Sequence, residues 1–176
     1  MKKLTIIFII LIIIPKTSAN SNDNGLKVAK ASYVPIIDGQ LDLIWRSATV
    51  NRMTSYINFD NIVENWFDLY ASFRILWEPN DLYIYISVMD DEYDVSSIDQ
   101  TNNDSVEILF KDEQETQIRI ELGGTHVVNA PNSIVAYQKT DYGYDIECQI
   151  PAPDCLMDLT LHHIFGFNLK IFDADE

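Results

Sequence analysis

Apolar and polar residues alternate with a period of two along most of this chain, and Pro, Gly, Asn and Asp interrupt the alternation every ten residues or so. That period puts successive side chains on opposite faces of a strand, so each segment can bury one face and wet the other. Short strands separated by regular turn signals predict an all-β fold, an antiparallel β-sandwich of jelly-roll or immunoglobulin-like type. The clearest piece is a hairpin over residues 71–89. Ala71, Phe73, Ile75 and Trp77 form one apolar face, Glu78-Pro79-Asn80-Asp81 turns the chain, and Leu82, Ile84, Ile86 and Val88 resume that face on the return. Tyr83, Tyr85 and Ser87 occupy the opposite side, which calls for cover by another layer or for a ligand surface. Further strands are expected at 105–110, 117–122, 126–129, 133–139, 144–150 and 164–172. The best helix signal is one turn at 42–48, which Asp42 could cap and which would tuck Trp45 inward.

The N-terminus breaks the pattern. Met1-Lys2-Lys3 is basic, Leu4 to Ile14 is apolar except for Thr5, and Thr17-Ser18-Ala19 ends in a small-x-small cleavage pattern. Residues 1–19 therefore read as a secretory signal peptide, residues 20–26 as a polar, mobile start, and residues 27–176 as one domain. As a helix the apolar run would span only about 16 Å against roughly 30 Å of hydrocarbon, so no membrane anchor is expected. Cleavage would leave 157 of the 176 residues. Loss of Lys2, Lys3 and Lys16 would also move the formal charge from −15 to −18, with 27 acidic residues retained. A surface this acidic repels phosphates, which argues against nucleic acid and anionic membranes. On an exported protein it suits calcium, or simply solubility. Cys148 and Cys155 could close a small loop in an oxidising compartment, whereas the alternation of Cys148 with Ile146 and Ile150 also fits a small buried side chain.

Four stretches in order carry more than composition can. They are Val34-Pro35-Ile36-Ile37-Asp38-Gly39-Gln40-Leu41-Asp42-Leu43-Ile44-Trp45, then Phe73 through Ile84, then Asn103-Asp104-Ser105-Val106-Glu107-Ile108-Leu109-Phe110, and last Gly143-Tyr144-Asp145-Ile146-Glu147 with Phe165-Gly166-Phe167-Asn168. Asp38-Gly39 marks a tight turn, and Trp45 and Trp77 read as core. On a strand through 104–107, Ser105 and Glu107 share one side; on the next, Gln117 and Arg119 share a side opposite Ile118 and Ile120. A hairpin would bring these polar sides together. An Arg fork, an amide and a carboxylate could then bind neighbouring hydroxyls, or form no more than a cross-strand ion pair.

Over residues 27–176 this set of stretches resembles the family 9 carbohydrate-binding module, a β-sandwich attached to xylanases and other secreted polysaccharide enzymes. The resemblance implies a non-catalytic module that binds plant or microbial polysaccharide or its chain ends, in association with a glycoside hydrolase. It assigns sugar contact to Glu107 and Arg119, and the neighbouring Gln117 and Asp104 are expected to support them. It also implies a sugar ring held between two tryptophans. Thr101 occupies the first of those positions and the second falls past Glu176, so the sandwich is expected to be one or two strands short at its C-terminus. Tyr93, Trp66 and Tyr142 are the loop aromatics available as substitutes.

The loop from Asp90 to Asp99 holds five acids in ten residues, without the Gly and terminal Glu of an EF-hand. Crowded carboxylates repel unless a cation or solvent intervenes. Calcium is therefore expected on Asp90, Asp91, Asp94 and Asp99, a structural role that the family resemblance also implies. Competing readings are an adhesion or surface-assembly sandwich that binds no sugar, and a fragment of a larger glycoside hydrolase. A third is a haem-binding sandwich using Met89 or one of His126, His162 and His163, and a fourth is a glycosidase in its own right. A glycosidase needs two carboxyl groups facing each other about 5–9 Å apart, and nothing in the sequence places such a pair.

Overall fold

The computed structural model describes residues 4–13, 26–53, 56–58, 69–92, 95, 103–122, 126–161 and 164–173. Two sheets face each other. The first contains β1 (Leu4–Ile13), β2 (Leu26–Lys27), β5 (Tyr56–Asn58), β8 (Ser105–Lys111), β9 (Glu115–Glu121), β10 (His126–Val128) and β13 (Ile164–Asp173). Its spatial order is β10-β9-β8-β13-β1-β2, with β5 also on β1. The second contains β3 (Ala29–Lys30), β4 (Asn51–Arg52), β6 (Leu69–Trp77), β7 (Asp81–Asp90), β11 (Ile134–Thr140) and β12 (Gly143–Pro151). It runs β11-β12-β7-β6-β3, with β4 on β6. Pairings are antiparallel except for the short β1–β2 and β3–β6 contacts. The expected antiparallel β-sandwich is the fold observed.

The 71–89 hairpin forms as β6 and β7, with Trp77 opposite Leu82 and reciprocal backbone hydrogen bonds between Glu78 and Asp81 closing the turn. Its apolar face joins the inter-sheet core, where Phe73 meets Phe167 of the opposite sheet at 5.5 Å between ring centroids. The other face is also covered. Tyr83 and Tyr85 lie under a second, smaller apolar cluster containing Ala31, Ile44, Trp45 and Ala48. Burial, with help from nearby Asp81 and Glu78, pushes the Tyr83 hydroxyl up to about 12.

A buried carboxylate fixes this outer layer. Glu147 on β12 accepts hydrogen bonds from the backbone N–H groups of Asp38 and Gly39, both at 2.8 Å, and from Trp45 Nε1 at 2.7 Å. Two of the sequence stretches singled out above are thereby joined through one side chain. Gly39 adopts φ +82°, and a Cβ there would lie 2.8 Å from the Tyr137 carbonyl carbon, which explains the glycine. A 3₁₀ turn covers Leu43–Ser47, but Asp42 makes no side-chain cap to it; its carboxylate accepts from the Ile36 N–H at 3.3 Å instead.

Cys148 and Cys155 are both buried free thiols. Cys148 packs in the core as a small apolar side chain, and Cys155, in α1 (Ala152–Cys155), points its thiol at the Pro151 carbonyl at 3.3 Å. Burial pushes Cys155 up to about 12, so it is unreactive near neutrality. Leu4–Ile13 lies antiparallel to the full length of β13, which thus has β8 on one side and β1 on the other. Residues 20–25, the start expected to be mobile, lie outside the described residues. Among those described, no helix is long and apolar enough to cross a membrane.

Candidate functional site

The outward face of β9, β8 and β13 carries the polar row that the alternation predicts. Register sets Glu107 directly opposite Arg119 on one side and Lys170 on the other. Arg119 Nη1 lies 3.6 Å from Glu107 Oε1, and Lys170 Nζ donates to Glu107 Oε2 at 3.3 Å. Glu121 Oε1 lies 3.5 Å from Arg119 Nε, and the guanidinium stands 5.4 Å over the Phe172 ring. Two cations and two carboxylates therefore balance within the row. Glu107 is only 7% exposed, so this cluster is more than a solvated surface pair.

Two polar atoms in the row lack hydrogen-bond partners although solvent does not reach them: Ser105 Oγ and Asn168 Oδ1. Orphaned groups cost about 1–3 kcal/mol each and call for a reason. A ligand rich in hydroxyls would satisfy them. Beside Asn168 a cleft of about 250 Å³ opens between Leu109, Lys111, Glu115 and Gly166. Its walls are largely apolar, a surface on which a ring could lie.

Of the residues nominated from sequence, Glu107 and Arg119 meet as expected. Gln117 lies on the same face, one pairing row away and exposed, opposite Leu109. Asp104 goes elsewhere. It is fully buried and joins Asp90 and Asp173, with one carboxylate oxygen from each lying within 4.8 Å of the others. Of the acids expected to hold calcium, Asp90 belongs to this trio, Asp91 is exposed, and Asp94 and Asp99 lie outside the described residues. Thr101, Tyr93, Trp66, His162 and His163 lie outside them too. Tyr142 is 72% exposed in the β11–β12 turn, away from the row, and Met89 is a surface residue.

Lys170, Asn168 and Glu121 were missed. Alternation along 164–172 already sets Asn168 and Lys170 opposite Phe167 and Leu169, but their use depends on β13 lying beside β8. That neighbour is separated by more than fifty residues of chain, and no local pattern announces it. Asp173 joins Asp90 and Asp104 for the same reason, through three strand ends that converge.

Comparison with known proteins agrees with this architecture. Residues 37–176 match the family described as "Carbohydrate family 9 binding domain-like". The chain is 26% identical over 166 residues to endo-1,4-beta-xylanase A of Thermotoga maritima, covering 86% of this chain and 15% of that protein. It is 28% identical over 167 residues to exoglucanase XynX of Acetivibrio thermocellus, covering 85% and 14%. Among solved structures, a family 9 carbohydrate-binding module from Caldicellulosiruptor kristjanssonii in complex with cellotriose superposes with a TM-score of 0.66 at 19% identity, covering 85% of this chain and 84% of that one. The same organism's module in complex with glucose gives 0.56 at 18%, covering 80% and 83%. The chain thus spans about a seventh of the length of the curated relatives it matches and 84% and 83% of the two solved modules. With a match over most of its length, this chain belongs to the carbohydrate family 9 binding domain-like family of carbohydrate-binding modules.

Proposed function

We propose that the outward face of β8, β9 and β13 binds a neutral oligosaccharide and that the chain acts as a non-catalytic module. The observation that carries this reading is Glu107, buried between Arg119 and Lys170 on a face with two unpartnered polar atoms, Ser105 Oγ and Asn168 Oδ1. The row is balanced in charge, which favours a neutral ligand over a uronic acid or a phosphate. Glu107 would accept from sugar hydroxyls, while Arg119, Gln117 and Asn168 supply donors and acceptors around the ring. Leu109 and Gly166 line the adjoining cleft and would supply apolar contact to a ring. Cellotriose and glucose in the similar solved modules support a glucan as the first ligand to test. The xylanase relatives support service beside a glycoside hydrolase, and the signal-like residues 1–19 support export.

Calcium is the metal that fits Asp90, Asp104 and Asp173. The trio offers hard oxygen donors only, from three buried carboxylates with one oxygen of each within 4.8 Å of the others. It would tie the end of β7 to the ends of β8 and β13, next to the Glu107 row, and thus act on structure.

Calorimetry with soluble cello- and xylo-oligosaccharides, with free and with reduced ends, tests the site. Arg119→Ala should weaken binding by about 1.5–3 kcal/mol through loss of charge-assisted hydrogen bonds, with little change in fold. Unchanged affinity in that variant would move the site off this face. Absence of binding across plant and microbial glycans would favour the adhesion reading.

A further inference from the structure

A second cavity, of about 430 Å³, lies at one end of the sandwich and shares only Glu115 and Gln117, at its edge, with the features described so far. Its walls come from three places: the start of β9, the crossover at 129–132 that carries the chain from β10 to β11, and α1 with Leu156 after it. Thr116 lies in the wall, only 8% exposed, and its Oγ1 has no hydrogen-bond partner. Unlike Gln117, it sits on the inward-pointing side of β9, so it is not part of the Glu107 row.

The opposite wall is held rigidly. Asp154 accepts from the Asn132 N–H at 2.9 Å, from Asn132 Nδ2 at 2.8 Å and from Ser133 Oγ at 2.9 Å. Asn129 Nδ2 donates to the Gln117 carbonyl at 3.2 Å and fastens the crossover to β9. Two non-glycine residues on the rim, Asn129 and Leu156, hold φ of +66° and +51°. The left-handed region costs a leucine roughly 1 kcal/mol, yet Leu156 adopts it and remains half exposed beside the cavity.

The chemistry of the lining selects a ligand class. Glu115 and Asp154 are its charged groups, and no Lys or Arg lines it, so anions are disfavoured. Asp154 is already saturated by its three donors, which leaves too few free carboxylates for a divalent cation. Amide groups of Asn129 and Asn132 and the Thr116 hydroxyl are suited to hydroxyl groups, and Pro131, Pro153 and Leu156 offer apolar surface to a ring face. We propose that this cavity is a second binding site for a neutral polyhydroxylated ligand, a sugar residue separate from the one at Glu107.

Heteronuclear NMR titration of the full chain with glucose, cellotriose and xylotriose, each taken to tens of millimolar, tests this. Amide signals of Thr116, Asn129, Asn132 and Leu156 should shift along an isotherm of their own, distinct from that of Ser105, Glu107 and Lys170. Thr116→Val removes an unpaired hydroxyl at constant shape and so should not lower the melting temperature. It should weaken the cavity isotherm about five- to tenfold and leave the other unchanged. Leu156→Gly should raise the melting temperature and weaken the same isotherm, a split that a purely structural leucine would not give. Glu107→Gln should act on the first isotherm alone, so loss of one site is distinguishable from loss of the other. Absence of shifts around Thr116 with all three sugars, or an isotherm unmoved by Thr116→Val, would overturn the proposal.

Discussion

Glu147 shows how much one side chain can decide. Its three N–H donors come from the turn at Asp38-Gly39 and from Trp45, which also packs in the smaller apolar cluster on the second sheet. Glu147→Ala would leave those donors buried and unpaired, and a loss of about 2–4 kcal/mol in chemical denaturation is expected. Burial raises the carboxyl above its ordinary 4.5, while the hydrogen bonds from Asp38, Trp45 and Gly39 draw it partway back. The folded state therefore binds the proton more tightly than the unfolded state does. Stability from this group is fully present below the unfolded value and is lost as pH rises through the raised one. Thermal melting between pH 4 and 8 should show that slope in the native protein and a flatter one in Glu147→Gln. A slope of equal size in both would assign it to another group. Glu147 stood in one of the stretches singled out from the sequence, but its role was not legible there, since an acid on a strand reads as a solvent-facing residue. Glu107 and Arg119 were legible because both lie on adjacent strands joined by a short turn, where alternation alone sets the facing sides.

At the scale of elements, the hairpins were the most readable parts. The β6–β7 and β8–β9 pairs each place a short turn between alternating runs, and register follows from which face must be buried. Long-range neighbours were not readable, because the β13–β8 pairing that brings Lys170 to Glu107 depends on the order of strands across the sheet. Residues 4–13, read from sequence as part of an export signal, form strand β1 here, and local pattern does not separate the two. An unbroken apolar run has no period, so it suits an export signal and a strand equally well. Gly143 illustrates how tightly the second sheet is drawn together at one turn. It adopts φ +135°, and a Cβ there would strike the Val88 carbonyl oxygen of the neighbouring strand. Gly143→Ala should cost at least about 2 kcal/mol and displace β11–β12 from β7, seen as faster amide exchange at Tyr144 and Ile146. Unaltered exchange would mean that the turn can shift to admit a methyl group.

At the scale of the whole molecule, the sandwich converges at the trio of acids. Asp90 ends β7 of the second sheet, Asp173 ends β13 of the first, and Asp104 leads into β8, so a bound calcium would bridge the two layers. The repulsion among three buried carboxylates and its relief by a cation have opposite signs, which makes the proposal testable by one substitution. In chelator, Asp173→Asn removes a like charge and should raise the melting temperature of the metal-free protein. With calcium present, the native chain should gain about 2.7 kcal/mol at a hundredfold excess of free ion over its dissociation constant, and the variant should gain far less. The two melting curves should therefore cross in order as calcium is added. Because Asp104 adjoins Ser105, the same titration should also tighten sugar binding at the Glu107 row if the ion orders that strand end. An order of stability that never reverses, with a flat calcium series, would overturn the calcium reading.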